Sequence, residues 1–160
     1  MNTQYLGIDP GKTGALTLLD HVGGILWIED MTDLSGPALG AWITDLLDTH
    51  KAYVVAIERV QGRSGQGGAD KFSVHCGALQ GAIGALGHRC ELPTPTTWKK
   101  EYGLTKTDKK ASRQRAAQLW PDHAGMFARA KDDGRAESAL IAEWLRRQYE
   151  PITATRKVAA

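Results

Sequence analysis

Four acids have the neighbours and spacing that metal-assisted phosphodiester chemistry needs: Asp9, Glu58, Asp133 and Glu137. Asp9 closes the apolar run Gln4–Asp9 (QYLGID), and Glu58 closes Tyr53–Glu58 (YVVAIE). If those runs are neighbouring strands, both carboxylates emerge at one sheet edge, where α/β proteins place ligand sites. Carboxylates placed together repel unless a cation lies between them. Mg²⁺ is a hard ion that takes oxygen ligands and keeps several waters. Two such ions ~3.5–4 Å apart can stabilise both the attacking and the leaving oxygen in phosphodiester cleavage. Asp133 and Glu137 are four residues apart, about 40° around a helix, and so share one face.

Each acid also has a plainer reading. Asp9-Pro10-Gly11 is ordinary turn chemistry, and acids often end strands, as Glu58 does. Asp132 or Asp133 can cap a helix, where an acid is favoured in the first turn. Asp133 can do both jobs.

The elements that must position these acids follow from the hydrophobic pattern. Three short runs, Gln4–Asp9, Ala15–Leu19 and Ile25–Ile28, are separated by breaker-rich turns and predict an antiparallel meander. Ala38, Leu39, Trp42, Ile43, Leu46 and Leu47 recur at helical spacing and predict a helix over Pro37–His50. Tyr53–Glu58 is nearly continuous and β-branched, the pattern of a strand covered on both faces. Gln61–Ala69 is glycine-rich and predicts a mobile loop. Helix resumes over 70–86, where Gly77, Gly81 and Gly84 suggest close helix packing. His88–Leu92 is a fifth strand. Thr96 or Thr97 caps a short helix through Tyr102, and Thr107 or Asp108 caps Lys109–Trp120. A last helix runs from Gly134 to about Gln148, with Ala136, Ala139, Leu140 and Trp144 on its packed side. Residues 151–160 are read as a flexible tail behind one domain, 1–150. The order predicts one mixed sheet with helices on both faces.

Composition narrows the class. The chain has 160 residues, is 42% hydrophobic and 24% charged, and has a net charge of +2. This suits one globular domain with a real core. The longest apolar run, Ala52–Ile57, is far short of the ~20 residues a membrane span needs. The first residues lack the basic start and apolar stretch of a signal peptide. Cys76 and Cys90 do not make a disulfide framework, so the expectation is a cytoplasmic protein with reduced thiols. His75-Cys76 with His88-x-Cys90 is too loosely spaced for structural zinc. Gly11-Lys12-Thr13 lacks the spacer and first glycine of a phosphate loop. Trp27, Trp42, Trp120 and Trp144 are read as core residues rather than stacking platforms.

Taken together, Gly7-Ile8-Asp9-Pro10-Gly11 with Gly14-Ala15-Leu16, then Ala56-Ile57-Glu58, then Asp133-Gly134-Arg135-Ala136-Glu137-Ser138-Ala139-Leu140 resemble the RuvC Holliday-junction resolvases. The likeness is greatest to short RuvC-like proteins of phages and prophages. It covers nearly the whole chain, in the family's order. The resemblance implies an RNase H-like fold: a five-stranded mixed sheet, three strands antiparallel and the rest parallel. It implies Mg²⁺ or Mn²⁺, two ions per site, and a homodimer that nicks opposing strands of a four-way DNA junction. Asp9, Glu58 and Glu137 match the family's acids by position. Many members place the two helical acids three apart, where this chain has Gly134. Asp133 is then the natural substitute. Asp132 is the alternative, but lies about 140° from Glu137 on an ideal helix.

The resemblance also assigns DNA contacts. Thr96–Gln118 holds five Lys and two Arg against two acids, which suits a phosphate backbone. Trp98-Lys99 resembles the segment whose lysine holds the scissile phosphate, with Lys106, Lys109 and Lys110 as further candidates. Any one of these lysines also fits a solvated helix face. Arg63, Lys71 and Phe72 fall where relatives enter the junction, and Phe72 equally suits a core. The helix around Val74, Ala78 and Ile83 resembles the family's dimer interface. Two rival readings remain: another nuclease on the same fold, acting on flaps, DNA ends or RNA–DNA hybrids, or a non-catalytic junction-binding protein. Sugar-kinase and actin-like ATPases begin with a similar strand turn but are far longer.

Overall fold

The computed structural model describes residues 2–47, 51–59 and 69–158, with only the backbone at 69 and 151–158. Five strands form one sheet: β1 (Gln4–Asp9), β2 (Ala15–Leu19), β3 (Ile25–Asp30), β4 (Tyr53–Ile57) and β5 (Arg89–Glu91). Their order is β3-β2-β1-β4-β5. β1, β2 and β3 pair antiparallel, whereas β1–β4 and β4–β5 are parallel. β1 is therefore central, and β4 lies beside it in the same direction. This is the five-stranded mixed sheet anticipated above, three strands antiparallel and the rest parallel.

Strand alternation divides the core into two layers. Leu6 and Ile8 of β1, Leu16 and Leu18 of β2, and Val55 and Ile57 of β4 face α1 (Gly36–Leu46) and α2 (Ala69–Ala85). Tyr5, Leu19 and Ala56 face the opposite layer. That layer is built from α3 (Pro95–Glu101), α4 (Lys109–Leu119) and the long α5 (Asp133–Val158). Asp9 and Glu58 continue the parity of Tyr5 and Ala56, four and two residues on in their strands, so they belong to the α5 side.

α5 lies almost directly on β1. A Cβ at Gly7 would overlap the Ser138 carbonyl oxygen and the Ala142 backbone nitrogen. A Cβ at Gly134 would overlap the Thr13 carbonyl oxygen and Gly14. Ala136, Ala139 and Ala142 are fully buried on the same helix. One buried polar bridge fixes its register: the hydroxyls of Thr17 on β2 and Ser138 on α5 are 2.7 Å apart. A helix can come this close only where small residues remove the usual side-chain spacing.

Several boundaries differ from the sequence reading. The cap of α3 is Thr94, whose hydroxyl oxygen accepts the Thr97 N–H, rather than Thr96 or Thr97. Pro95 then occupies the first turn, where its missing N–H costs nothing. Asp108 caps α4 by accepting from the Ala111 N–H. α1 ends at Leu46, short of the expected His50; residues 48–50 lie outside the described residues. α5 continues through Pro151 to Val158, beyond the expected end near Gln148. A proline deep in a helix removes one hydrogen bond but does not always end it. Two 3-10 segments, Pro121–Phe127 and Ala130–Asp132, join α4 to α5. The glycines of α2 mark no close approach: among the described residues, nothing outside the helix's own backbone lies within 4 Å of a Cβ built at Gly77, Gly81 or Gly84.

Gly7→Ala tests the close approach. The added methyl has no room unless α5 moves, so the substitution should destabilise the fold by about 3 kcal/mol or more, read by chemical denaturation. An unchanged midpoint would show that α5 does not depend on contact at Gly7.

Candidate active site

The acids gather where the central parallel strands end. β1 and β4 are in register at Ile8 and Ile57, and the Glu58 N–H donates to the Ile8 carbonyl at 3.0 Å. Asp9 and Glu58 therefore leave adjacent strands side by side. Glu137 arrives from α5 one residue before Ser138, the residue whose carbonyl meets Gly7. Glu58 and Glu137 are 7% and 8% exposed, and Asp9 is half-buried.

Their protonation reflects this crowding. Burial raises Asp9 to about 6; the Gly11 N–H, 3.0 Å from Oδ1, opposes the rise and the charge of Glu137 adds to it. Asp9 is thus a turn-forming acid and a site acid at once. Burial raises Glu58 to about 7, against the hydrogen bond from Trp98 and with the charges of Asp9 and Glu137. Lys99 pulls both values down. Three acids and one lysine thus act on one another, the coupling expected of a charged site in a poorly solvated cleft.

Basic residues sit where a cation is wanted. The Lys99 ammonium lies 2.8 Å from Glu137 Oε1. Asp133 is held apart from the other three by α4: Arg113 Nε is 2.9 Å from its Oδ1 and Lys109 Nζ 4.0 Å from its Oδ2. The Arg113 contact is an ion pair without hydrogen-bond alignment, since neither atom has a hydrogen-bond partner. Asp132, the alternative to Asp133, is buried and takes the Arg129 backbone N–H at 2.8 Å and its guanidinium at 2.9–3.2 Å. It closes the 3-10 turn.

The remaining candidates scatter. Lys106, Lys109 and Lys110 are exposed along the α3–α4 connection and the start of α4. Lys106 is in the left-handed backbone region, with φ 63°. Lys71 is exposed and borders an open groove of about 790 Å³ with Pro10, Lys12 and Leu34. Phe72 is half-buried and lines a smaller cavity of about 200 Å³ with Glu58, Arg59, Cys76 and Leu92. It stands beside the acids rather than in the main core. Arg63 lies outside the described residues. On α2, Val74 is 62% exposed, but Ile83 is fully buried against the sheet, so the outward face does not include Ile83.

Two partners escaped the sequence reading. Trp98 donates its indole N–H to Glu58 Oε1 at 2.9 Å. Arg113 pairs with Asp133. Arg113 was visible only as one more charge in the basic segment.

Among the described residues no three His, Cys, Asp or Glu side chains close into a metal-holding cluster. The donor set nonetheless fits a hard divalent ion. Asp9, Glu58 and Glu137 offer only carboxylate oxygens and converge from three elements, and the charge of Glu137 adds to the cost of ionising Asp9 and Glu58.

Two solved structures of Thermus thermophilus RuvC share this fold. One, in complex with a Holliday junction substrate, aligns with a TM-score of 0.64 at 19% identity over 93% of this chain and 97% of that one. The other gives 0.62 and 17% over 92% and 96%. The chain has the RuvC fold. At such identities the likeness concerns the backbone. No protein-family model matches the chain, and no curated protein sequence does.

The raised values predict a pH-dependent gain from neutralising Glu58. A carboxyl with a raised folded-state pKa favours folding fully only below its unfolded value, about 4.5, and that contribution is lost as pH rises through about 7. Glu58→Gln should therefore leave the melting temperature of the metal-free protein nearly unchanged at pH 5. At pH 8 it should gain roughly 2–3 kcal/mol of stability. Equal effects at both pH values would show that Glu58 is not strained when charged.

Proposed function

We propose that the chain is a metal-dependent DNA endonuclease of RuvC type that cuts four-way junctions. The observation that carries this reading is the convergence of Asp9, Glu58 and Glu137 beside Lys99 at the ends of the central strands. Asp9, Glu58 and Glu137 would hold Mg²⁺ or Mn²⁺, two ions per site in the full form of the proposal. Asp133 joins them once its ion pair with Arg113 opens. Bound ions supply Lewis-acid stabilisation of charge on the attacking and leaving oxygens. Water attacks phosphorus and the 3′ oxygen leaves, giving 5′-phosphate and 3′-hydroxyl ends.

The chain's own residues do the rest. Asp9 is held against free rotation by the Gly11 N–H. The buried walls under Glu58 and Glu137 exclude bulk water and strengthen every charge contact nearby. Lys99, released from Glu137, lies within reach of the scissile phosphate. Lys106, Lys109, Lys110 and Arg113 extend that positive surface along the strand. Lys71, Phe72 and Arg63 are proposed to meet the junction centre. The RuvC structure bound to a Holliday junction supports branched DNA as the partner. A homodimer through the outward face of α2, around Val74, would bring two such sites to one junction.

Asp9→Asn should abolish Mg²⁺-dependent cleavage while sparing folding and junction binding. Lys99→Ala should slow cleavage by roughly 10²-fold, as loss of one preorganised charge contact does. Both are read on a panel of four-way junction, flap, duplex and RNA–DNA hybrid. Symmetric paired nicks in the junction alone support resolution. Cleavage of hybrid or flap instead would move the chain to another nuclease activity on this fold. Absence of cleavage on every substrate would leave a junction-binding protein.

A further inference from the structure

Trp98 belongs to no catalytic chemistry, yet it touches the acid site twice. α3 begins at its Thr94 cap, directly after a tie to the end of β4: the Arg59 N–H donates to the Pro93 carbonyl at 2.8 Å. That tie anchors the chain segment carrying Trp98 to the residue following Glu58. Trp98 itself is 0% exposed. Its indole N–H can only donate, and it donates to Glu58 Oε1 at 2.9 Å. The Lys99 ammonium lies 5.0 Å from the centroid of the Trp98 ring and, at its other side, 2.8 Å from Glu137 Oε1. Tyr102 braces the ring edge-on at 6.5 Å, and its hydroxyl donates to the Leu140 carbonyl, one turn beyond Glu137.

We infer that Trp98 is a positioning residue for the metal-holding acids, fixing Glu58 through its indole N–H and, before metal and DNA arrive, Glu137 through the lysine that rides on its ring. The inference rests on the metal-dependent reading proposed above. A carboxylate with one oxygen bonded to a rigid, buried donor keeps its second oxygen aimed and free. A carboxylate without that bond samples several rotamers and binds a metal less tightly. Partners that orient metal ligands are typically worth about 10–100-fold in metal affinity. A buried tryptophan also needs a hydrogen-bond acceptor for purely structural reasons, so the test must separate ligand orientation from packing.

Trp98→Phe keeps an aromatic ring and removes the N–H. The measurement is Mn²⁺ binding to the DNA-free protein by calorimetry, beside the melting temperature of each protein. A folded variant with Mn²⁺ affinity lowered by about 10-fold or more supports the inference. A folded variant that binds Mn²⁺ as tightly as the wild type overturns it. The second readout uses the wild type alone. Of the indole ¹H–¹⁵N signals of its five tryptophans, that of Trp98, assigned by its contacts to Tyr102 and Lys99, should shift as Mg²⁺ fills the site. If Trp98→Phe fails to fold, this signal decides: movement with Mg²⁺ supports the inference, and no movement at saturating Mg²⁺ overturns it. Absence of any metal binding by the wild type would instead overturn the metal-dependent reading itself.

Discussion

The close approach of α5 to β1 is the constraint on which the rest depends. Gly7 and Gly134 leave no side chain between the helix and the strand or its following turn, and alanines fill the remaining contact. The Thr17–Ser138 bridge then sets the helix register. With the helix so near, Glu137 reaches the same end of the sheet as Asp9 and Glu58. A larger residue at position 7 would lift the helix and carry Glu137 away. The acid site is therefore as much a product of missing side chains as of the acids present.

Bringing acids together has an electrostatic cost, and the chain offsets it locally. Asp9 and Glu58 are driven toward their neutral forms by burial and by neighbouring charge. The two acids on α5 take cations from the basic segment: Lys99 on Glu137, with Arg113 and Lys109 on Asp133. On the proposed function, these same cations would meet the phosphate backbone. One set of side chains balances the acids in the metal-free protein and would, on that reading, also contact DNA.

Asp132 and Asp133 illustrate how neighbours with one chemistry divide their roles. Asp132 is enclosed by Arg129 and ends a 3-10 turn. Asp133 begins α5 and pairs with Arg113 at 2.9 Å and with Lys109 at 4.0 Å. Helical geometry favours Asp133 because it shares a face with Glu137. In the structure each carboxylate faces a guanidinium, but only that of Asp132 also accepts a backbone N–H.

Much of the fold was legible in the sequence because its signals are local. Short apolar runs bounded by turn residues located all five strands, helical spacing and caps located the main helices, and acids at the ends of two apolar runs marked Asp9 and Glu58. Local signals also misled. Pro151 suggested a helix end that α5 passes over, and the α2 glycines suggested packing that nothing in the described chain provides. Ile83 read as part of an outward face and proved to be core. Tertiary structure alone decided that α5 would lie on β1, that Trp98 would hold Glu58, and that Arg113 would pair with Asp133. Residues 40, 20 and more apart in the chain make those contacts. A sequence fixes residue types and periods, whereas contacts between distant residues depend on how whole elements pack.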